Sequence, residues 1–136
     1  MSVVRDAMVP EPTSLLATAT GQDAGRAFAE SPDTRAIFVS DDDGTLVGVI
    51  TRKTLVREVV AAGVDPREAR LGEIAEPPHY TIDASLPLDE GFHMLEELDL
   101  ERVPVVESGR LVGVLSRAVV QRRLAEDEPP AVDLVG

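Results

Sequence analysis

The chain has 136 residues, 43% hydrophobic and 28% charged, which suits one domain or two small packed units. Its 25 acidic residues against 13 basic ones give a formal net charge of -12, which argues against sequence-independent nucleic-acid binding through phosphates. It has no cysteine, so disulfides, thiolate chemistry and Cys-based metal sites are excluded, and no apolar run approaches the ~18 residues of a membrane span. The N-terminus shows no basic-then-apolar signal, so a cytoplasmic protein is expected.

In chain order, Val3 to Met8 reads as a short helical turn stopped by Pro10 and Pro12. Thr13 to Ala17 reads as a strand. Gly21 to Ser31 has helical spacing through Ala24, Ala27 and Phe28, and Pro32 ends it. Arg35 to Ser40 is a strand, Asp41-Asp42-Asp43-Gly44 a hairpin turn, and Leu46 to Ile50 the return. Thr51 caps a helix with Leu55, Val56, Val59 and Val60 on one face, closed by Gly63. Residues 64–70 are a linker. The order then restarts: a turn over Leu71 to Ala75, a strand over His79 to Ile82, and a helix from Pro87 with Leu88, Phe92, Leu95 and Leu98 on its face. Val103 to Val106 is a strand, Ser108-Gly109 the turn, and Leu111 to Leu115 the return. Ser116 caps a last helix carrying Val119, Val120 and Leu124, and 127–136 is an acidic, flexible tail.

The repeat is explicit in two phrases. Gly44-Thr45-Leu46-Val47-Gly48-Val49-Ile50-Thr51-Arg52 and Gly109-Arg110-Leu111-Val112-Gly113-Val114-Leu115-Ser116-Arg117 agree at six of nine positions. Val4, Pro10, Ala17, Arg35 and Val39 map onto Leu71, Pro77, Ala84, Arg102 and Val106 at an offset of 67, and Gly44, Arg52 and Arg57 map onto Gly109, Arg117 and Arg122 at 65. One β-α-β-β-α unit is used twice, over 1–63 and 71–126. Each unit is too small for an ample core of its own. The expected fold is α+β, with the two units packed sheet to sheet about a pseudo-twofold axis and two related clefts between them.

These residues resemble a tandem pair of cystathionine-β-synthase (CBS) domains, a Bateman module. The likeness covers residues 3 to 126 and rests on the repeated strand-turn-strand phrase, the Pro-containing strand Arg102-Val103-Pro104-Val105-Val106 and the opening Val-x-Asp-x-Met turn. It implies a regulatory, non-enzymatic protein. AMP, ADP, ATP or S-adenosylmethionine would be a regulatory ligand in the clefts, with no cofactor required. It also implies a homodimer and control of a separate enzyme or transporter. The family motif Gly-apolar-apolar-Thr/Ser-x-x-Asp/Asn ends in a carboxylate that receives the ribose hydroxyls. Here it reads Gly48 to Thr54 and Gly113 to Val119: the hydroxyl is kept in both copies and the Asp in neither. The alternative is therefore a CBS-pair dimerisation scaffold that has lost nucleotide binding, and a third reading is a small enzyme with an unrecognised site.

The ligand-binding set implied by the resemblance is Ile37, Thr51, Arg52, Thr54, Tyr80, Pro104, Ser116, Arg117 and Val119, with no catalytic and no metal-ligating residue. Each has a plainer reading. Thr51 and Ser116 cap helices with or without a ligand. Arg52, Lys53 and Arg117 oppose the helix dipole, which is consistent with an awaited anion or with solvated side chains. Ile37 and Pro104 are core-edge residues first, and Tyr80 packs as readily as it stacks. Arg35 and Arg102 read as surface charges or ion pairs. His79 and His93 lack partners for a metal or a general base. The three aspartates of the first hairpin read as a solvated turn. The apolar faces Leu55 to Val60 and Val119 to Leu124 predict a homodimer.

Overall fold

In the computed structural model, which describes residues 2–10 and 12–127, the first unit runs α1 (Val4–Ala7), β1 (Val9–Pro10), β2 (Ser14–Leu16), α2 (Gly21–Glu30), β3 (Ala36–Ser40), β4 (Leu46–Thr51) and α3 (Arg52–Leu55). The second runs α4 (Leu71–Ile74), β5 (Ile82–Asp83), α5 (Leu88–Glu97), β6 (Arg102–Glu107), β7 (Arg110–Ser116) and α6 (Arg117–Asp127). Local chemistry sets the starts and turns. The Thr20 hydroxyl accepts from the Asp23 N–H at 3.2 Å, while the Asp23 carboxylate accepts from the Thr20 N–H at 3.0 Å, a reciprocal cap that opens α2. The Asp41 carboxylate accepts from the N–H groups of Asp43 and Thr45, each at 2.9 Å, which gives that acidic run its local purpose. Gly44, Ser108 and Gly109 supply the positive φ values, +86°, +54° and +79°, at the two hairpin turns.

Among the described residues the strands form two sheets, β2-β3-β4 and β1-β7-β6-β5. In each, a parallel pair (β2 with β3, β5 with β6) adjoins an antiparallel hairpin (β3 with β4, β6 with β7). The hairpin tips meet: Leu46 N–H donates to Gly109 O at 3.1 Å and Leu111 N–H to Gly44 O at 3.2 Å.

The units exchange their opening segments. Val4 and Ala7 of α1 are buried with Ile82, Leu88, Leu95, Val103, Val105, Leu115 and Val120, in the second core. Leu71 of α4 is buried with Ala24, Phe28, Ile37, Val39 and Ile50, in the first. Strand β1 pairs with β7 of the other unit, and Glu76 forms the matching bridge with Val49 of β4. The hydrogen bonds repeat in the same sense. Val4 and Arg5 donate to the carbonyls of Leu86 and Ala84 at 2.8 and 2.9 Å, and Leu71 and Gly72 donate to those of Ala19 and Ala17 at 2.9 Å each. Residues 64–70 form neither helix nor strand. They are docked all the same, with the carbonyls of Ala69 and Pro66 accepting from the Gly21 and Gln22 N–H groups at 2.8 and 3.0 Å and so satisfying the free amides of the α2 N-terminus.

Four expectations are corrected. The central strands are related by 66, not 67: Ile37 pairs with Ile50 as Val103 pairs with Leu115, and Phe38 pairs with Val49 as Pro104 with Val114. The extra residue lies between helix and strand, where 31–35 in the first unit faces 98–101 in the second. The strand expected over His79 to Ile82 is Ile82–Asp83, with Tyr80 outside it and 43% exposed. The helix after Thr51 does not turn one apolar face inward. It passes into a π-helical turn over Val56–Val60, so Val59 is buried while Val56 and Val60 are 57% and 72% exposed. Leu98 falls past the end of α5 and is 39% exposed. The expected tail lies, from residue 128, outside the described residues.

Candidate functional site

A cavity of about 750 Å³ opens between the two units. Its walls are the faces of the sheets turned away from the two cores. The cross-strand pair Phe38 and Val49 stands on one side and the pair Pro104 and Val114 on the other. Val9, paired to Val114, and Val119 of α6 extend the apolar lining. Ser116 and Thr13 bring hydroxyls, and the segment 30–36 forms one rim with Glu30, Asp33 and Arg35. Arg102 joins from the second sheet.

Of the residues singled out in sequence, Pro104, Ser116 and Val119 are brought together here. Ile37 is fully buried in the first core, and its neighbour Phe38 faces the cavity instead. The one-residue offset explains this, since a slip of one turns a strand residue to the opposite face.

Arg52 and Arg117 act behind the walls. The Arg52 guanidinium lies 4.7 Å over the Phe28 ring and donates to the carbonyls of Thr34 (2.7 Å), Phe28 (3.2 Å) and Pro32 (3.1 Å). Arg117 donates to the carbonyls of Leu100 (3.0 Å) and Leu95 (3.2 Å) and to the Asp99 carboxylate (3.1 Å). Both arginines hold the carbonyl end of the preceding helix, where cations are favoured and orphan acceptors need donors. Arg52 thereby pins the 31–34 segment that forms the cavity rim.

Thr51 and Thr54 form a second reciprocal cap. Thr54 N–H donates to the Thr51 hydroxyl at 3.2 Å, and Thr51 N–H to the Thr54 hydroxyl at 3.1 Å. Thr54 is fully buried, and its hydroxyl also reaches the Glu76 carboxylate at 3.5 Å. Glu76 is bound by the Arg57 guanidinium as well, and that hydrogen bond chiefly holds its carboxyl below the usual value. In the repeat, Glu76 is the counterpart of Val9, and Tyr80 the counterpart of Thr13. The related cleft thus carries a carboxylate where the described cavity carries a valine. Phe38, Val9, Val49 and Val114 were missed in sequence. Aligning the strands by their pairing register rather than by constant numbering would have found Phe38.

The family profile for the CBS domain matches residues 4–61 and 71–126. The chain is a tandem CBS-domain protein. Hypoxic response protein 1 of Mycobacterium tuberculosis is 35% identical over 103 residues, which are 76% of this chain and 72% of that one. The crystal structure of Hypoxic Response Protein I with two coordinated zinc ions superposes with a TM-score of 0.76 at 33% identity, covering 90% of this chain and 99% of that one. The fold is shared with CBSX2 in complex with AMP, at a TM-score of 0.72 and 24% identity over 93% of this chain and 98% of that one. The cytosolic domain of the Mg²⁺ channel MgtE in complex with ATP superposes at a TM-score of 0.67 and 28% identity, over 86% of this chain and 46% of that one. The CBS pair is a regulatory module, generally without catalysis. Among the described residues no three His, Cys, Asp or Glu side chains gather to hold a metal, and no helix is long and apolar enough to cross a membrane.

Proposed function

We propose that this CBS pair senses an adenosine-containing ligand, AMP, ADP, ATP or S-adenosylmethionine, in the cavity between its units and passes occupancy on to a separate enzyme or transporter. The observation that carries the reading is the cavity itself. At about 750 Å³ it has the size and the apolar lining with a few polar groups that small-molecule sites share. Its two walls belong to different units, so occupancy bears on how they sit together. No group there is set to activate a nucleophile, so the ligand leaves unchanged. A nucleotide ligand goes with a cytoplasmic location. Calorimetric titration with these four ligands tests the reading. One of them should bind wild type, and Ala36→Trp, which fills the cavity with an indole, should abolish the signal while the protein stays folded by circular dichroism. Binding by none of the four leaves the dimerisation scaffold as the better reading.

Val119 lines the cavity where the family motif carries its ribose acceptor. Val119→Asp should therefore tighten adenosine-nucleotide binding by about tenfold, the worth of hydrogen bonds to a charged acceptor. An unchanged dissociation constant would mean that ribose is held elsewhere.

The homodimer is proposed through the first unit's helices. Val56 and Val60 stand exposed beside a groove lined by Gly21, Gly25, Ala29 and Val64. Apolar patches of that kind mark interfaces. Wild type should sediment as a dimer on the order of 10 μM, and Val56→Glu with Val60→Glu as a monomer. A wild-type monomer at that concentration would refute the proposal.

A further inference from the structure

We propose that Glu76 and Arg57 form a latch that holds the second of the two inter-unit clefts shut, and that breaking it opens a second ligand site. The latch stands on side-chain geometry alone; its effect on the number of sites rests on the ligand-cavity reading. The repeat carries Ser116, Val119 and Val9 of the open cavity onto Thr51, Thr54 and Glu76. Val119 is partly exposed and lines the cavity, whereas Thr54 is wholly buried. Glu76 is part of what covers it. The Thr54 hydroxyl lies 3.5 Å from the Glu76 carboxylate. Arg57, three residues after Thr54 in the π-helical turn, holds that carboxylate in an ion pair. The Glu76 main chain is fixed by its two hydrogen bonds with Val49, so the side chain is the part that can swing.

The latch is not a by-product of the repeat. Arg57 has its counterpart in Arg122, but the counterpart of Glu76 is Val9, which offers a guanidinium no acceptor. The first cleft has half a latch and stays open. The closed state of the second is one that can be undone. Both latch side chains are about half exposed, and ion pairs in such places are weak and screened by salt. Displacing Glu76 would uncover Thr51 and Thr54, whose hydroxyls are engaged in the helix cap and with Glu76.

The chain has no cysteine, so an introduced thiol reports on one place. Thr54→Cys, Val119→Cys and Val39→Cys, the last wholly buried in the first core, are each made alone and with Arg57→Gln or Glu76→Ala. The readout is the rate of alkylation by iodoacetamide, an uncharged reagent, and melting curves check the fold. Val119→Cys should react readily and equally in all three backgrounds. Thr54→Cys should react slowly in the otherwise wild-type chain. Arg57→Gln should speed it by about fivefold, the upper worth of a half-exposed ion pair. Glu76→Ala should speed it by more, because the cover goes with the charge. The two changes shift local charge in opposite senses, so acceleration by both reports access and not thiolate character. Val39→Cys should stay slow throughout. Thr54→Cys reacting as fast as Val119→Cys without a second change, or speeding no more than Val39→Cys does, would refute the latch. Calorimetric titration with AMP reads the latch without a thiol: one AMP per chain is expected in wild type and two in Glu76→Ala. Two in wild type, or one in both, would refute it. Labelling as expected with no AMP bound by either protein would support the latch and count against the cavity reading.

Discussion

Gly48→Ala should lower the melting temperature by about ten degrees, one of the largest effects expected of any single methyl group added to this protein. A Cβ at residue 48 would stand 2.6 Å from the Glu76 carbonyl oxygen and 2.8 Å from the Ala75 Cβ. The first is backbone, held by the two hydrogen bonds between Glu76 and Val49 at 2.8 and 3.0 Å, and cannot rotate away. Either the exchanged segment after α4 leaves β4, which strips Leu71 from the first core, or β4 buckles. Overpacking of this kind costs about 3 kcal/mol at its upper end, a large fraction of a small domain's stability of roughly 5–15 kcal/mol. Gly113→Ala is the symmetry-related test. Its Cβ would meet the Met8 Sδ at 2.6 Å, which can swing aside, and the Val9 carbonyl oxygen at 2.8 Å, which is backbone of the paired strand β1 and cannot. It should destabilise as well, by a comparable amount. Thermal unfolding of both variants checks the pair, and a Gly48→Ala protein that melts with wild type would show that the unit-to-unit strand pairing is not as described.

Arg117→Ala should destabilise by about 2–3 kcal/mol, because a charged donor to several acceptors is lost and those acceptors remain. Its side chain is 22% exposed and holds the carbonyls of Leu95 and Leu100 at the end of α5. Without it the Leu100 carbonyl loses the donor that Arg117 supplies in a partly buried place, and the Leu95 carbonyl keeps only the Leu100 N–H at 2.8 Å. Arg117→Lys should not restore stability, since an ammonium cannot span several acceptors as the guanidinium fork does. Urea unfolding of the two variants decides. Full rescue by lysine would mean that charge at the helix end, and not the fork, is what counts.

That arginine shows how the sequence reading and the structure divide. The repeat places Arg52 and Arg117 alike and after a capping hydroxyl, which reads equally well as an anion site. The structure turns both side chains away from the cavity, onto the carbonyl ends of α2 and α5. Those acceptors lie 24 and 22 residues back in the chain, a separation that no local pattern reports.

By itself the sequence determined the twofold repeat, the α+β class, both hairpins and the capped start of α3. These follow from signals within a few residues of one another: a hydroxyl three before its partner, a turn glycine, an alternating apolar run. It also marked Pro104, Ser116 and Val119, which meet at the cavity. Only the tertiary structure decided that α1 and α4 trade cores, because so short a helix, with its few apolar residues, fits either core and the choice is made by strands of the other unit. Only it decided that Phe38 and not Ile37 faces the cleft. Both are apolar, and their faces are set by the pairing of β3 with β4, which one extra loop residue shifts relative to the other unit.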